Sequence, residues 1–158
     1  MHMHRVTYAK HVSVQFAKGH GTGNDFVLIV DDEGELDLSA ERVRRIADRR
    51  YGIGADGVIR VTKSKFVSGS RESDLWFMDY RNADGSVAEM CGNGIRVYAE
   101  YLFGTGRVTG EHVSIETRAG VLSVNKDPRG YRVEMGHAVS LGSDIKVRTD
   151  EDEWPATG

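Results

Sequence analysis

The chain has 158 residues, the size of one domain that can bury a core without covalent cross-links. Hydrophobic residues make up 39% and charged residues 28%, values that argue against a disordered chain. The net charge of −3 provides no general attraction to nucleic acid, and no run approaches the ~20 apolar residues that span a membrane. We therefore expect neither a nucleic-acid partner nor a membrane partner. Because the N-terminus lacks a secretory signal, we expect a cytoplasmic protein.

The first half of the chain is predicted to form three strands and one helix. Short apolar or alternating runs predict the strands Val12–Phe16, Phe26–Val30 and Val58–Val61. The first two are expected to be joined by an irregular glycine loop, Gly19–Asp25. Ser39 is expected to cap an amphipathic helix, and Gly52 to follow the end of that helix.

The second half contains a segment that is apolar on nearly all sides. Ile95–Phe103 has the spacing of a helix, and such a composition predicts that it is buried inside the domain. A strand, Leu75–Tyr80, and a second glycine-rich segment, Asn82–Gly94, precede it. Alternating residues over 113–135 then predict an antiparallel meander. Short strands around one buried helix indicate an α+β fold.

One apparent nucleotide-binding motif does not withstand its context. Gly52–Gly57 matches the spacing G-x-G-x-x-G, but here the order is helix, loop, strand. A dinucleotide site requires strand, loop, helix, so that the pyrophosphate meets a helix N-terminus. We therefore predict no nucleotide cofactor. The histidines near the N-terminus are interpreted as part of an exposed terminal segment, and no metal site is predicted.

Cys91 is the only cysteine, which excludes an internal disulfide and any zinc site that needs two thiolates. It lies directly before the predicted buried helix, where free N–H groups and the helix dipole favour an anion such as a thiolate. Gly92 and Gly94 would let a ligand approach the backbone. Position alone leaves open a buried structural thiol, because free cysteines are often buried. The polar, turn-forming segment Tyr80–Ser86 favours the functional interpretation.

Three segments together resemble one known family. The motifs Arg81–Ser86 and Glu89–Arg96 resemble the first active-site motif of diaminopimelate epimerases. Gly19–Phe26 is similar to the N-terminal signature of that family, and Gly52–Gly57 to a further segment of it. The resemblance covers roughly residues 14 to 136. It implies a mixed, mostly antiparallel sheet wrapped around a central buried helix.

The resemblance also implies an activity and a set of site residues. Diaminopimelate epimerases interconvert LL- and meso-diaminopimelate without pyridoxal or any other cofactor, on the route to lysine and peptidoglycan. Two cysteines act on opposite faces of the substrate α-carbon, and Cys91 matches one of them. The expected substrate contacts are Asn24, Asn82, Gly92 and Asn93. Gly57 falls where many members carry a glutamine, which puts that one contact in doubt.

The resemblance extends to only half of a typical family member. Such proteins have two similar domains, and nothing in this chain matches the domain with the second cysteine. We therefore expect an N-terminal extension (1–13), an epimerase N-terminal domain (14–136) and a linker leading to a missing second domain (137–158). The chain alone is expected to be inactive, and the full-length protein to be a homodimer.

Two alternatives remain at this stage. The first is a related racemase or isomerase with another substrate, such as a proline racemase-like enzyme. The second is a non-catalytic binding or dimerisation module that retains the fold and a free thiol. Redox sensing would need an outside partner for the single cysteine.

Overall fold

A computed structural model describes residues 14–67, 69–70, 73–136, 146–148 and 153–155. The strands are β1 (Phe16–Gly21), β2 (Asn24–Val30), β3 (Gly57–Lys63), β4 (Trp76–Asn82), β5 (His112–Thr117), β6 (Gly120–Asp127), β7 (Gly130–Val133), β8 (Lys146–Arg148) and β9 (Glu153–Pro155). The helices are α1 (Ala40–Ala47) and α2 (Gly92–Gly104), with a 3-10 turn at Ser64–Phe66. The predicted extension, 1–13, lies outside the described residues, as does most of 137–158.

One sheet carries the domain, and its strands follow chain order from β1 to β7. The pairs β2–β3 and β4–β5 are parallel, and the other four pairs are antiparallel. Parallel neighbours require a crossover connection, which α1 and α2 supply. The mixed, mostly antiparallel sheet and its helices confirm the predicted fold. A separate pair, β8–β9, is antiparallel.

The two helices cover opposite faces of the sheet, because successive strand residues point to opposite sides. Phe26 and Leu28 pack with α2, whereas Val27 and Ile29 pack with α1. Within α2, Tyr98 and Leu102 are fully buried, which confirms the prediction of a buried helix. In α1, Val43 and Ala47 are buried while the arginines face solvent. The sheet therefore has a core on each face, and the larger one surrounds α2.

The predicted glycine loop at 19–25 is wrong, since most of it belongs to strands. Gly19 to Gly21 complete β1 and pair with Phe26 to Asn24 of β2. Only Thr22 and Gly23 form the turn, with φ angles of 53° and 84°. A two-residue hairpin turn with positive φ at both positions suits the twist of the flanking strands. The glycines in β1 also allow α2 to approach, because a Cβ at Gly21 would lie 3.1 Å from the Asn93 carbonyl oxygen.

The N-terminus of α1 and the loop after the helix follow the prediction. The Ser39 hydroxyl accepts a hydrogen bond from the backbone N–H of Arg42 at 3.4 Å, as expected of an N-cap. Gly52 follows in the loop, where the chain folds back so that the N–H groups of Ile53 and Gly54 bind the Ile46 carbonyl oxygen. The order helix, loop, strand across Gly52–Gly57 is thus confirmed. Among the described residues, no helix is long and apolar enough to cross a membrane.

Candidate functional site

The predicted site residues gather at one end of the sheet. Asn24 begins β2, Gly57 begins β3 and Asn82 ends β4. Strand pairing brings them together, because Gly57 is the register partner of both Phe26 and Asn82. Cys91, Gly92 and Asn93 are at the N-terminus of α2. Gly57 is buried, whereas Cys91 and the four expected substrate contacts are partly exposed and thus accessible to a small molecule.

Cys91 is the N-cap of α2. Its backbone is extended, with φ −141° and ψ 118°, and its Sγ accepts a hydrogen bond from the Gly94 N–H at 3.4 Å. Below it, Gly94 is packed so closely that a Cβ there would lie 3.3 Å from Ile59 Cδ1. The thiol therefore occupies a position normally taken by serine or aspartate. The free N–H groups of this helix end face the same region.

A second polar group, the side-chain amide of Asn24, lies beside the thiol. Asn24 Oδ1 lies 3.8 Å from Cys91 Sγ, close enough to accept a weak S–H hydrogen bond. The orientation of the Asn24 amide is set by Asp56, whose Oδ2 accepts from Asn24 Nδ2 at 2.7 Å. The thiol thus lies between a hydrogen-bond donor, the Gly94 N–H, and a hydrogen-bond acceptor, Asn24 Oδ1. Such surroundings suit a group that both gains and loses a proton.

Asp56 is held by a cluster of charged side chains beneath Asn24. Arg49 donates to both oxygens of Asp25, at 2.7 and 3.1 Å, and to Asp56 Oδ1 at 2.7 Å. Lys18 Nζ lies 2.9 Å from Asp25 Oδ2. The Arg49 hydrogen bond holds the pKa of Asp25 far below its ordinary value, and the Asn24 hydrogen bond lowers the pKa of Asp56. Both carboxylates therefore stay ionised at neutral and mildly acidic pH, which keeps the Asn24 amide in one orientation.

The side chain of Asn93 links the hairpin to α2. Its Oδ1 accepts from Thr22 Oγ1 at 3.0 Å and from the Arg96 guanidinium. Next to it, Gly92 faces Met135, whose Cε would lie 3.5 Å from a Cβ at that position. Thr22 of the turn is thus hydrogen-bonded to the N-terminal turn of α2. This contact could not be read from the sequence, since Thr22 and Asn93 are 71 positions apart.

Asn82, at the end of β4, makes no described contact with Asn24 or Cys91. Its Oδ1 accepts from the Tyr80 hydroxyl at 2.9 Å, and its Nδ2 donates to Ser86 Oγ at 2.9 Å. The structure thus brings Asn24, Asn93 and Cys91 into one cluster and places Asn82 at the end of β4, two strands from β2. Sequence reasoning missed Asp56, Arg49 and Tyr80, although Asp56 and Tyr80 lie within the segments quoted above. Among the residues that the structure describes, no group of acidic, histidine or cysteine side chains could hold a metal ion.

The Asp56 contact predicts a measurable change at Cys91. In Asp56→Ala the Asn24 amide loses its anchor, so its oxygen no longer accepts the S–H hydrogen bond of Cys91 and the sulfur is freer to react. We expect the rate of Cys91 alkylation by iodoacetamide at pH 7 to rise about two- to threefold, the lower end for one hydrogen bond because a thiol is a weak donor. Asp32→Ala, which removes an aspartate paired with Arg107, is the matched control and should leave the rate unchanged. An unchanged or slower rate in Asp56→Ala would contradict the role given to Asp56.

Solved structures define the class of fold. The domain superposes on a hydroxyproline epimerase from Agrobacterium vitis, solved with bound trans-4-hydroxy-L-proline, with a TM-score of 0.62 and 13% identity over 87% of this chain and 45% of that one. A putative phenazine biosynthesis PhzC/PhzF protein from Clostridium difficile matches with a TM-score of 0.55 and 17% identity, over 75% of this chain and 42% of that one. The chain is therefore a domain of the fold that these epimerase and PhzF structures share.

Sequence comparison gives the family. The model of the diaminopimelate epimerase family matches residues 16–141. The diaminopimelate epimerase of Streptomyces coelicolor is 47% identical over 90% of this chain and 51% of its own length. That of Corynebacterium glutamicum is 50% identical over 79% of this chain and 47% of its own length. The chain belongs to the diaminopimelate epimerase family, and it spans about half the length of these curated relatives.

Proposed function

We propose that this chain is the half of a diaminopimelate epimerase that supplies one of the two proton-transfer groups, the thiol of Cys91. The observation that carries the proposal is the position of Sγ, which caps α2 beside Asn24 in a member of this family. The reaction would interconvert LL- and meso-diaminopimelate in lysine and peptidoglycan biosynthesis. It would use no cofactor and would take place in the cytoplasm.

The proton transfer begins and ends on sulfur in this proposal. As a thiolate, stabilised by the Gly94 N–H, Cys91 would remove the α-proton of the substrate, and in the reverse direction the thiol would return it. Serine and threonine hydroxyls are too weakly acidic to ionise readily in such a site, whereas a thiol at a helix N-terminus ionises easily. The remaining free N–H groups of α2 would hold the substrate carboxylate and stabilise the charge that develops on it.

The substrate contacts are assigned by their place around Cys91. The backbone of Gly92 and Asn93 belongs to the α2 N-terminus and would bind the carboxylate beside the reacting carbon. Asn24, at the start of β2, and Asn82, at the end of β4, each offer an amide that can both donate and accept. Such groups suit a substrate with an amino and a carboxylate group at each end.

Inversion requires a second group that this chain does not supply as a cysteine. A base that returned its own proton to the same face would restore the starting configuration. The second donor must therefore lie across the α-carbon, and Cys91 is the only cysteine among the 158 residues. We propose that a second epimerase domain provides the partner thiol, and that the complete protein is a homodimer.

Isotope exchange tests this proposal directly. The 158-residue chain is incubated with LL-diaminopimelate in deuterated water, and both the α-deuterium content and the meso form are measured. We expect no meso product, because one thiol can act on one face only. Deuterium incorporation with retained configuration would support a single working base. Clear inversion by the chain alone would overturn the two-thiol assignment.

A chimera supplies the positive arm of the same test. This chain is joined to the second half of the Streptomyces coelicolor relative, which it matches at 47% identity. The chimera should form meso-diaminopimelate, and proline or hydroxyproline in the same assay should remain unchanged. Racemisation of proline instead would favour a related isomerase with another substrate. A folded chimera with neither activity, in which Cys91 resists alkylation, would favour a non-catalytic module.

A further inference from the structure

Tyr80 lies in β4, two residues before Asn82, and neither the motifs nor the family match assigns it a task. Its side chain is only 6% exposed and its ring packs edge-on against Phe26, with ring centroids 5.8 Å apart. Its hydroxyl nevertheless donates to the partly exposed side chain of Asn82. Buried tyrosines commonly pack the ring against apolar side chains while the hydroxyl forms a hydrogen bond.

Gly57 provides the space that Tyr80 occupies. A Cβ at Gly57 would overlap the Tyr80 ring and would lie 2.7 Å from the Arg81 carbonyl oxygen and 3.0 Å from the Tyr80 hydroxyl. The φ angle of Gly57 is not positive, so the requirement for glycine is one of space alone. Any side chain at position 57 would therefore compete with the Tyr80 ring for the same space.

The Tyr80 hydroxyl completes the anchoring of Asn82. Ser86 Oγ holds the amide nitrogen and Tyr80 holds the amide oxygen, so the plane of the amide is fixed from both ends. One N–H and one lone pair of the amide remain free for a ligand. Burial raises the pKa of Tyr80, and the nearby Cys91 raises it further, so the hydroxyl keeps its proton. Because an amide oxygen only accepts, the hydroxyl is the donor in its bond to Asn82.

We infer that Tyr80 is a positioning residue. Its ring occupies the space that is open because Gly57 has no side chain, and its hydroxyl fixes the orientation of the Asn82 amide. That this amide contacts diaminopimelate rests on the proposed function, but its orientation by Tyr80 does not. Without the hydroxyl, the amide oxygen loses its only described protein partner and the side chain can rotate about its last bond.

Nuclear magnetic resonance of the 158-residue chain, isotope-labelled on nitrogen, tests the inference. In Tyr80→Phe, we expect the Asn82 side-chain amide signals to shift and their hydrogens to exchange with solvent about fivefold faster, the factor contributed by one ordinary hydrogen bond. Tyr131→Phe is the matched control, because it removes a hydroxyl that donates to Glu100 at 2.8 Å outside the site. Unchanged Asn82 signals in a folded Tyr80→Phe chain would overturn the inference.

A second variant observes the same bond from its other end. In Asn82→Ala, carried on a chain with isotope-labelled tyrosine, the Tyr80 Cζ signal should shift and that of Tyr131 should not. If Tyr80→Phe fails to fold, the Asn82→Ala variant decides the test. An unchanged Tyr80 signal in that variant would overturn the inference. Cys91 alkylation separates this inference from the proposed function. An unreactive Cys91 in a chain with the expected Asn82 response would count against the proposed chemistry and leave the positioning role intact.

Discussion

Cys91→Ser should abolish epimerisation by the chimera, lowering the rate by about a thousandfold, within the range that a general acid or base contributes. The serine hydroxyl can still accept from the Gly94 N–H, so the cap of α2 is retained and the domain folds. It cannot serve as the base at neutral pH, because its ionisation is far less favourable than that of a thiol. The measurement is meso-diaminopimelate formed at saturating substrate, with circular dichroism to verify the fold.

Ser39→Ala is the matched control for the loss of a helix cap. It removes the side chain that caps α1 and should lower the free energy of unfolding by about 1 kcal/mol. Its epimerisation rate should equal that of the unmodified chimera. If Cys91→Ser retained more than about a tenth of the rate, the thiol could not be the acid or base that the mechanism requires.

Gly52→Ala should have the largest effect on stability among the glycine substitutions outside the site. A Cβ at this position would overlap the carbonyl oxygen of Arg45 and lie 2.7 and 2.9 Å from those of Ile46 and Asp48. These are backbone atoms at the end of α1, which cannot rotate aside as a side chain can. We expect a loss of about 3 kcal/mol in the free energy of unfolding, measured by urea denaturation.

The same substitution should also reach the site through Arg49. That residue is in the loop after α1 and holds Asp25 and Asp56, so a displaced loop would release the Asn24 amide. Gly104→Ala is the control, because a Cβ there meets only Glu100 Oε1 at 3.7 Å and alanine favours a helix by up to about 1 kcal/mol. Equal stability of Gly52→Ala and the unmodified chain would show that the carbonyl groups can move apart.

Local patterns predicted most of the elements because they follow from short-range chemistry. The apolar runs of β2 and β3, the Ser39 cap and the apolar composition of α2 each depend on neighbours within a few positions. The hairpin at Thr22 and Gly23 was missed for the opposite reason. Glycines at 19 and 21 resemble a loop in sequence, but in the fold they extend a strand whose faces must admit α2.

The sequence by itself determined the family and the residues that carry its motifs, since these depend on the order and identity of amino acids. It singled out Cys91 and the amides of Asn24 and Asn82, and it placed the thiol before a helix. Only the tertiary structure decided which groups contact each other. Asn24 lies beside the thiol, and Asp56, held by Arg49, binds the Asn24 amide. The Tyr80 ring fills the space that a side chain at Gly57 would need. Those contacts join residues far apart in the chain, and strand pairing and helix packing, rather than local preference, set their distances.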